Sequence, residues 1–354
     1  MILLNPGPVN LSDGVRQALL GPDLCHREAE FFDLQDEVRQ GLLAVYGLPP
    51  AYAAVLLGGS GTAAVEAMVA SLVPADGRLL VAANGVYGQR LAAIAAIHRI
   101  PCRVLEHDWT EAIDLERLER ALAAEAFTHL AVVHHETTTG RLNPLAAIGD
   151  LARRHGAWLL VDAVSSFGAE ELDFDGWHVA AAAATANKCL HGVPGASFVV
   201  ARRDALETRA PRRSLYLDLA TYCRCQDRRD TPYTPPVQAL YALAQALREL
   251  AEAGGRPARH ARYDHLAAQV RRGLEALGIR PLLAAADSSV VLGAYALPAI
   301  GYGALHDGLK RQGFVIYAGQ GGLAQRLFRI AVMGAVNDAD IHRLLTAVEA
   351  LIKA

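Results

Sequence analysis

The stretch Thr185-Ala186-Asn187-Lys188-Cys189-Leu190-His191-Gly192-Val193-Pro194-Gly195 decides how the chain is read. It follows the alanine-rich apolar run Val179 to Ala184 and precedes a second strand-like segment, Ala196 to Ala201. The pattern puts a lysine at the end of a buried strand, just before a Gly-Val-Pro-Gly turn. A buried ammonium is costly unless a partner or a reaction uses it. Desolvation lowers its pKa and frees the amine as a nucleophile, the state that forms a Schiff base with an aldehyde cofactor. An exposed loop lysine is the alternative that this stretch alone leaves open.

Outward from it, strands and helices alternate. Val55 to Leu57 runs into Gly58-Gly59-Ser60-Gly61-Thr62, which opens a helix from Ala63 to Val73. Free amides at a helix start, with the hydroxyls of Ser60 and Thr62, make an anion cradle suited to one phosphate monoester. The Lys-Ser/Thr ending of a P-loop is absent, and the spacing of the dinucleotide fingerprint fails. A capped helix after a turn is the bland alternative. Strands are expected at Arg78 to Ala82, Cys102 to Leu105, Thr128 to Val133 and Ala157 to Asp162. Helices are expected up to His98, over Asp114 to Ala124 and over Leu145 to His155. This order implies an α/β fold, a mainly parallel sheet with helices on both faces, whose ligands gather at the carboxyl ends of the strands. Ser60, Tyr87, Thr137, Asp162 and Lys188 all fall at such ends. Asp162 is either a helix cap or the partner of a buried cation. As a partner it would keep a pyridine nitrogen protonated and make the ring an electron sink.

Before the first strand, Leu4-Asn5-Pro6-Gly7-Pro8-Val9 reads as an arm laid over a surface, because its prolines remove donors. Ser12 caps a short helix, and a second runs from Ala29 to Tyr46. Arg202 to Asp218 is charged and wraps the surface, and Cys223 to Asp230 reads as irregular. Gly254-Gly255-Arg256-Pro257 reads as a linker. Beyond it a small α+β domain is expected. It holds a long helix from Ala258 to Leu277 and strands at Ser289 to Gly293, Phe314 to Ile316 and Leu327 to Ala331. Arg329 stands among apolar residues there, where a guanidinium suits bidentate capture of a carboxylate; a core-edge salt bridge is the alternative. The expected division is an arm over 1–13, a large domain over 14–253 and a small domain over 254–354.

Bulk composition agrees with one large domain plus a smaller one. Of 354 residues, 52% are hydrophobic and 20% charged, so a large core is possible and disorder is not expected. The net charge is -3, and no basic stripe interleaved with aromatics runs along the sequence, so nucleic-acid binding is not expected. No apolar window is long enough to cross a bilayer, and no signal peptide is expected ahead of Met1. The five cysteines are irregularly spaced, with Cys223-Arg-Cys225 too tight for a zinc pair, so no metal site is expected. Reduced thiols in a cytoplasm are the simpler reading.

Six stretches together carry a family resemblance. They are Leu3 to Val9, Gly58 to Thr62, Asn84-Gly85-Val86-Tyr87-Gly88, Glu136-Thr137-Thr138-Thr139-Gly140, Asp162-Ala163-Val164-Ser165-Ser166 and Ala186 to Leu190. Through them the chain resembles the class V aminotransferases, fold-type I pyridoxal-phosphate enzymes, over nearly its whole length. The likeness is greatest to those acting on 2-aminoethylphosphonate and pyruvate. The resemblance implies a seven-stranded-type sheet and pyridoxal 5'-phosphate as cofactor. Lys188 would hold the cofactor and move a proton, and Asp162 would pair with the ring nitrogen. Tyr87 would stack on the ring, Ser60, Gly61 and Thr62 would cradle the phosphate, and Thr137, Val164 and Asn187 would complete the cofactor contacts. Thr234 would reach across from a second subunit, making a homodimer with shared sites. Arg329 would bind the substrate carboxylate, with Asn5, Gly7, His26, Arg27 and Arg90 as further substrate contacts. The loop from Tyr222 to Tyr233, His191 and Ala196 depart from the family pattern. Two other outcomes stay open: an alanine–glyoxylate or serine–pyruvate type of the same class, and a cysteine desulfurase-like lyase using Cys223 or Cys225. A binding protein on the same scaffold, without the cofactor, is the non-enzyme alternative.

Overall fold

The computed structural model describes residues 1–207 and 210–353; Thr208 and Arg209, inside the charged 202–218 stretch, lie outside the described residues. A seven-stranded sheet runs in the order Tyr52–Gly59, Gly195–Arg202, Val179–Thr185, Trp158–Asp162, His129–Val133, Leu79–Ala83 and Cys102–Glu106. The strand Gly195–Arg202 is antiparallel to both of its neighbours, and the remaining pairs are parallel. Its direction follows from the tight turn after Lys188, which sends the chain straight back without a crossover helix.

The sheet separates two apolar clusters. One holds Leu56, Val132, Val161 and Phe198 with the helices Ala29–Ala44 and Val237–Glu252. The other holds Val55, Ala131, Leu160 and Val199 with the helix Gly61–Leu72. Burial on both faces explains why Val179 to Ala184 is apolar throughout instead of alternating. Alanine there lets the helix Gly61–Leu72 pack close over the strand that delivers Lys188.

The C-terminal part builds a three-stranded antiparallel sheet, Leu292–Ala296, Leu327–Ala331 and Tyr317–Ala318, with the helices Gly255–Ala276, Gly301–Arg311 and Asp338–Lys353. Four expectations change. The polar segment after Leu219 is a helix, Leu219–Asp227, capped by the Asp218 carboxylate on the Thr221 amide at 3.1 Å. Gln226 on that helix meets both the amide and the carbonyl of Leu56, so its polarity serves the sheet edge. The linker shrinks to a left-handed Gly254, and a helix begins at Gly255. Pro257 is tolerated because the first helical turn needs no amide partner. The strand expected from Ser289 starts at Leu292, because the Ser289 amide bonds instead to the Gly140 carbonyl at 2.9 Å.

The N-terminal arm is woven in rather than laid on. Ile2–Leu3 pairs in parallel with Phe314–Val315, and the Leu4 carbonyl accepts from the Ala331 amide at 2.8 Å. Leu4 is fully buried among Tyr263, Phe314, Phe328 and Ile330. Leu4→Ala is therefore expected to destabilise the protein by about 2–5 kcal/mol, the range for a buried leucine truncation, measured by urea denaturation. An unchanged midpoint would show the arm to be dispensable.

Candidate active site

Lys188 follows the strand Val179–Thr185, inside a turn closed by the Gly192 amide on the Ala186 carbonyl at 2.8 Å. Thr185 Oγ1 donates to Asn187 Oδ1 at 2.8 Å and fixes the residue before the lysine. The Lys188 amine donates to the Pro6 carbonyl of the arm. Gly7, at φ +92°, lies so close that a Cβ would stand 2.8 Å from Lys188 Cδ. Burial lowers the lysine pKa to about 8, with Asp162 opposing the shift and Arg329 and Arg90 adding to it.

Asp162 ends the neighbouring strand Trp158–Asp162 and is 5% exposed. Its Oδ1 accepts from the Val164 amide at 3.0 Å. Its Oδ2 has no hydrogen-bond partner among the described residues. Burial raises the carboxyl pKa to about 6, against the pull of the Val164 amide, Arg90 and Lys188. Desolvation thus outweighs attraction at both members of the pair.

Val164 also overhangs the helix start at Gly61: a Cβ there would stand 2.8 Å from Val164 Cγ1. Ser60 is the N-cap of the helix Gly61–Leu72, yet its hydroxyl makes no cap bond and is exposed. The first amides of that helix have no carbonyl one turn back. Thr62 Oγ1 accepts from Arg90 Nη1 at 3.0 Å, and the Arg90 guanidinium lies 4.7 Å over the Tyr87 ring. Tyr87 and Arg90 sit on the helix Val86–Ile97. Arg329 is 3% exposed, on the strand Leu327–Ala331. Its Nε donates to the Ala318 carbonyl at 2.9 Å, and its Nη1 donates to the Thr137 carbonyl at 2.8 Å and to Gln320 Oε1 at 3.1 Å. Its Nη2 has no partner among the described residues.

These atoms fit a phosphorylated pyridine aldehyde. The amine suits the aldehyde, the unpaired Asp162 Oδ2 suits a ring N–H, and the open helix start suits the phosphate. The Thr137 hydroxyl is buried and has no hydrogen-bond partner among the described residues, so a further polar group is due there.

The fold brings together Lys188, Asp162, Val164, Gly61, Thr62, Arg90, Gly7, Thr137 and Arg329. Asn5 turns its amide onto the Pro8 carbonyl at 3.1 Å and shapes the arm. Arg27 is committed to Asp230 Oδ1 at 2.6 Å and to the Thr231 carbonyl at 2.9 Å. Thr234, exposed on the same loop, and His26 have no hydrogen bond to this group. Sequence reasoning missed Pro6, whose contribution is a carbonyl, and Gln320, which has no motif around it. His191, a departure from the family pattern, accepts from the Gly334 amide at 2.9 Å through Nε2 and contacts the Tyr263 hydroxyl, tying the lysine turn to the C-terminal part. Cys223 lies on the helix Leu219–Asp227, and burial raises its thiol to about 11. A thiol kept protonated is a poor nucleophile for a lyase.

The Aminotransferase class-V family matches residues 18–325. A 2-aminoethylphosphonate–pyruvate transaminase of Vibrio vulnificus is 40% identical over 98% of this chain and 96% of its own length. Among solved structures, an alanine–glyoxylate aminotransferase from Nostoc sp. superposes with a TM-score of 0.93 at 29% identity, covering 99% of this chain and 95% of that one. A pyridoxamine–pyruvate aminotransferase from Mesorhizobium loti gives 0.91 at 30% identity, covering 100% and 92%.

The raised Asp162 pKa has a signed consequence for the cofactor-free protein. Below about pH 4 the carboxyl is neutral in both the folded and unfolded states; the stability its neutral form lends is lost as the pH rises through about 6. Asp162→Asn removes this cost. It is expected to raise cofactor-free stability at pH 7.5 by about 2–3 kcal/mol, a gain that shrinks toward pH 4. Thermal melts of both forms across that range check this, and a pH-independent difference would contradict it.

Proposed function

This chain belongs to the class V aminotransferases, and on that premise we propose that it moves the amino group of 2-aminoethylphosphonate to pyruvate, giving phosphonoacetaldehyde and alanine. The fold is the fold-type I architecture of pyridoxal-phosphate enzymes, with that cofactor as its prosthetic group. The observation that carries the reaction class is one buried site holding both a lysine lowered to about 8 and a carboxylate with a free oxygen. The substrate reading is supported by the 40% identity to a transaminase of that name.

Bound pyridoxal phosphate supplies an electron sink for the bond broken at the amine-bearing carbon. Lys188 Nζ would carry the proton between that carbon and the aldehyde carbon of the cofactor, and its depressed pKa suits both directions near neutral pH. Asp162 Oδ2 would accept the ring N–H and keep that nitrogen charged. Tyr87 would stack on the ring. Ser60, Gly61 and Thr62 hold the phosphate, with Arg90 adding positive charge beside them, and Thr137, Val164 and Asn187 complete the pocket. Arg329 Nη2 receives the substrate anion, the carboxylate of the oxo acid or the phosphonate of the amine. Asn5 and Gly7 close the substrate side through the arm.

The same reading assigns Thr234 to the site of a second subunit and keeps His26 and Arg27 as candidates for contacting the substrate phosphonate. Arg27 is bonded to the 230–231 segment of the loop that carries Thr234, so these residues share one exposed region. The active unit in this reading is a homodimer with shared sites. The division into an arm over 1–13, a large domain over 14–253 and a small domain over 254–354 belongs to it too. All five cysteines are free thiols, which supports a cytoplasmic setting. Among the described residues no helix is long and apolar enough to cross a membrane.

Wild-type protein reduced with borohydride in the presence of pyridoxal phosphate is expected to carry the cofactor mass on Lys188. Lys188→Ala is expected to carry none and to lose turnover. A variant that still turns over would refute the role. The amino donor is read from the visible absorbance of bound cofactor, screened with 2-aminoethylphosphonate, alanine and serine. A response to the phosphonate supports the reading; a response to alanine or serine alone moves it to the alanine–glyoxylate or serine–pyruvate type. Arg329→Ala is expected to raise KM for pyruvate about 10- to 100-fold, the worth of one lost charge-assisted hydrogen bond, with cofactor affinity nearly unchanged. Unaltered KM would remove Arg329 from substrate binding.

A further inference from the structure

Residues 136–138 bridge two parts of the site that come from distant stretches of chain. Glu136 is fully buried. Its Oε2 accepts from the Gly88 amide at 3.2 Å, and its Oε1 accepts from the Thr138 amide at 3.1 Å and the Thr138 hydroxyl at 2.6 Å. The Thr138 oxygen in turn accepts from the Val86 amide at 3.1 Å. Val86 and Gly88 flank Tyr87 in the first turn of the helix Val86–Ile97, where amides lack partners within the helix. The helix has no side-chain cap of its own, since its N-cap is Gly85. No side chain fits at Gly85: a Cβ would stand 2.2 Å from Glu136 Cδ. The cap is therefore supplied from another element. Burial pushes the Glu136 carboxyl up, and the Thr138 and Gly88 donors pull it back.

On its other side the same segment meets Arg329. The Thr137 carbonyl accepts from Arg329 Nη1 at 2.8 Å. Gln320 Oε1 accepts from that nitrogen at 3.1 Å and lies 3.5 Å from the Thr138 hydroxyl.

We propose that Glu136 is a positioning residue that sets the spacing between Tyr87 and Arg90 on one side and Arg329 on the other. The inference rests on the assignment of Tyr87 to the ring and Arg329 to the substrate anion. Glu136 touches neither ligand. It fixes the helix start beneath Tyr87, while the adjoining Thr137 backbone fixes the guanidinium, so ring plane and substrate anion are presented in one geometry. Two acceptor oxygens are required. An amide offers one, so a glutamine of the same shape turns an NH₂ group either onto the Gly88 amide or onto Thr138.

The test uses full-length protein with and without pyridoxal phosphate. Glu136→Gln and Thr138→Val are each expected to speed hydrogen exchange at the Val86 and Gly88 amides. Both should also lower kcat and raise KM for amine and oxo acid together, with kcat/KM falling about tenfold or more, as misplacement of a reacting group does. Thr138→Ser keeps the hydroxyl and should restore wild-type exchange and kinetics. If Glu136→Gln does not fold, the contrast between Thr138→Val and Thr138→Ser decides. Wild-type exchange with wild-type kinetics in Glu136→Gln overturns the proposal. So does a lower Tm with unchanged exchange and an unchanged KM-to-kcat pattern, which assigns structure alone. If wild-type protein does not bind pyridoxal phosphate, the transaminase reading falls, and amide exchange still reports whether Glu136 caps the helix.

Discussion

The structure turns on the desolvation of two opposite charges, Lys188 and Asp162, at the carboxyl ends of adjacent strands. Each is pushed toward its neutral form, the acid to about 6 and the amine to about 8. Their mutual attraction does not cancel that cost, because both have left water. Neither group is stabilising where it stands. The sheet holds them there with two apolar clusters and a close-packed alanine strand. A site of this kind stores unfavourable electrostatics.

Closure of the site depends on segments far apart in the chain. The arm brings the Pro6 carbonyl to the lysine amine, and its strand is anchored on Phe314–Val315. His191 and Arg259 clamp the lysine turn to the C-terminal part, through Gly334 and the Cys189 carbonyl. Glu170 adds a second buried clamp, accepting from the Ser289 hydroxyl and the Val290 amide at 2.5 and 3.0 Å. These bonds satisfy polar groups that would otherwise be stranded at the junction of the two sheets.

Residues at strand ends were legible because an α/β sheet gathers its ligands there, and single positions such as Lys188 and Asp162 break an apolar run. The turn from strand to helix at Ser60 was legible because glycine and hydroxyl residues cluster there. The helix Leu219–Asp227 was not, since its polar Gln226 is explained only by its bonds to Leu56, a contact across 170 residues. Gln320 and Pro6 were equally hidden, one lying in a loop without pattern and the other acting only through its carbonyl.

By itself the amino-acid sequence determined the alternation of strands and helices, the family and the residues able to do the chemistry, since periodicity and side-chain type are local properties. Tertiary structure alone decided which of those residues meet. It drew the arm over Lys188, left Arg329 one open nitrogen and committed Arg27 to Asp230. It also made Glu136 the cap of a helix nearly fifty residues upstream. The reason is physical: burial and hydrogen-bond geometry are set by long-range packing, and no window of sequence contains both partners.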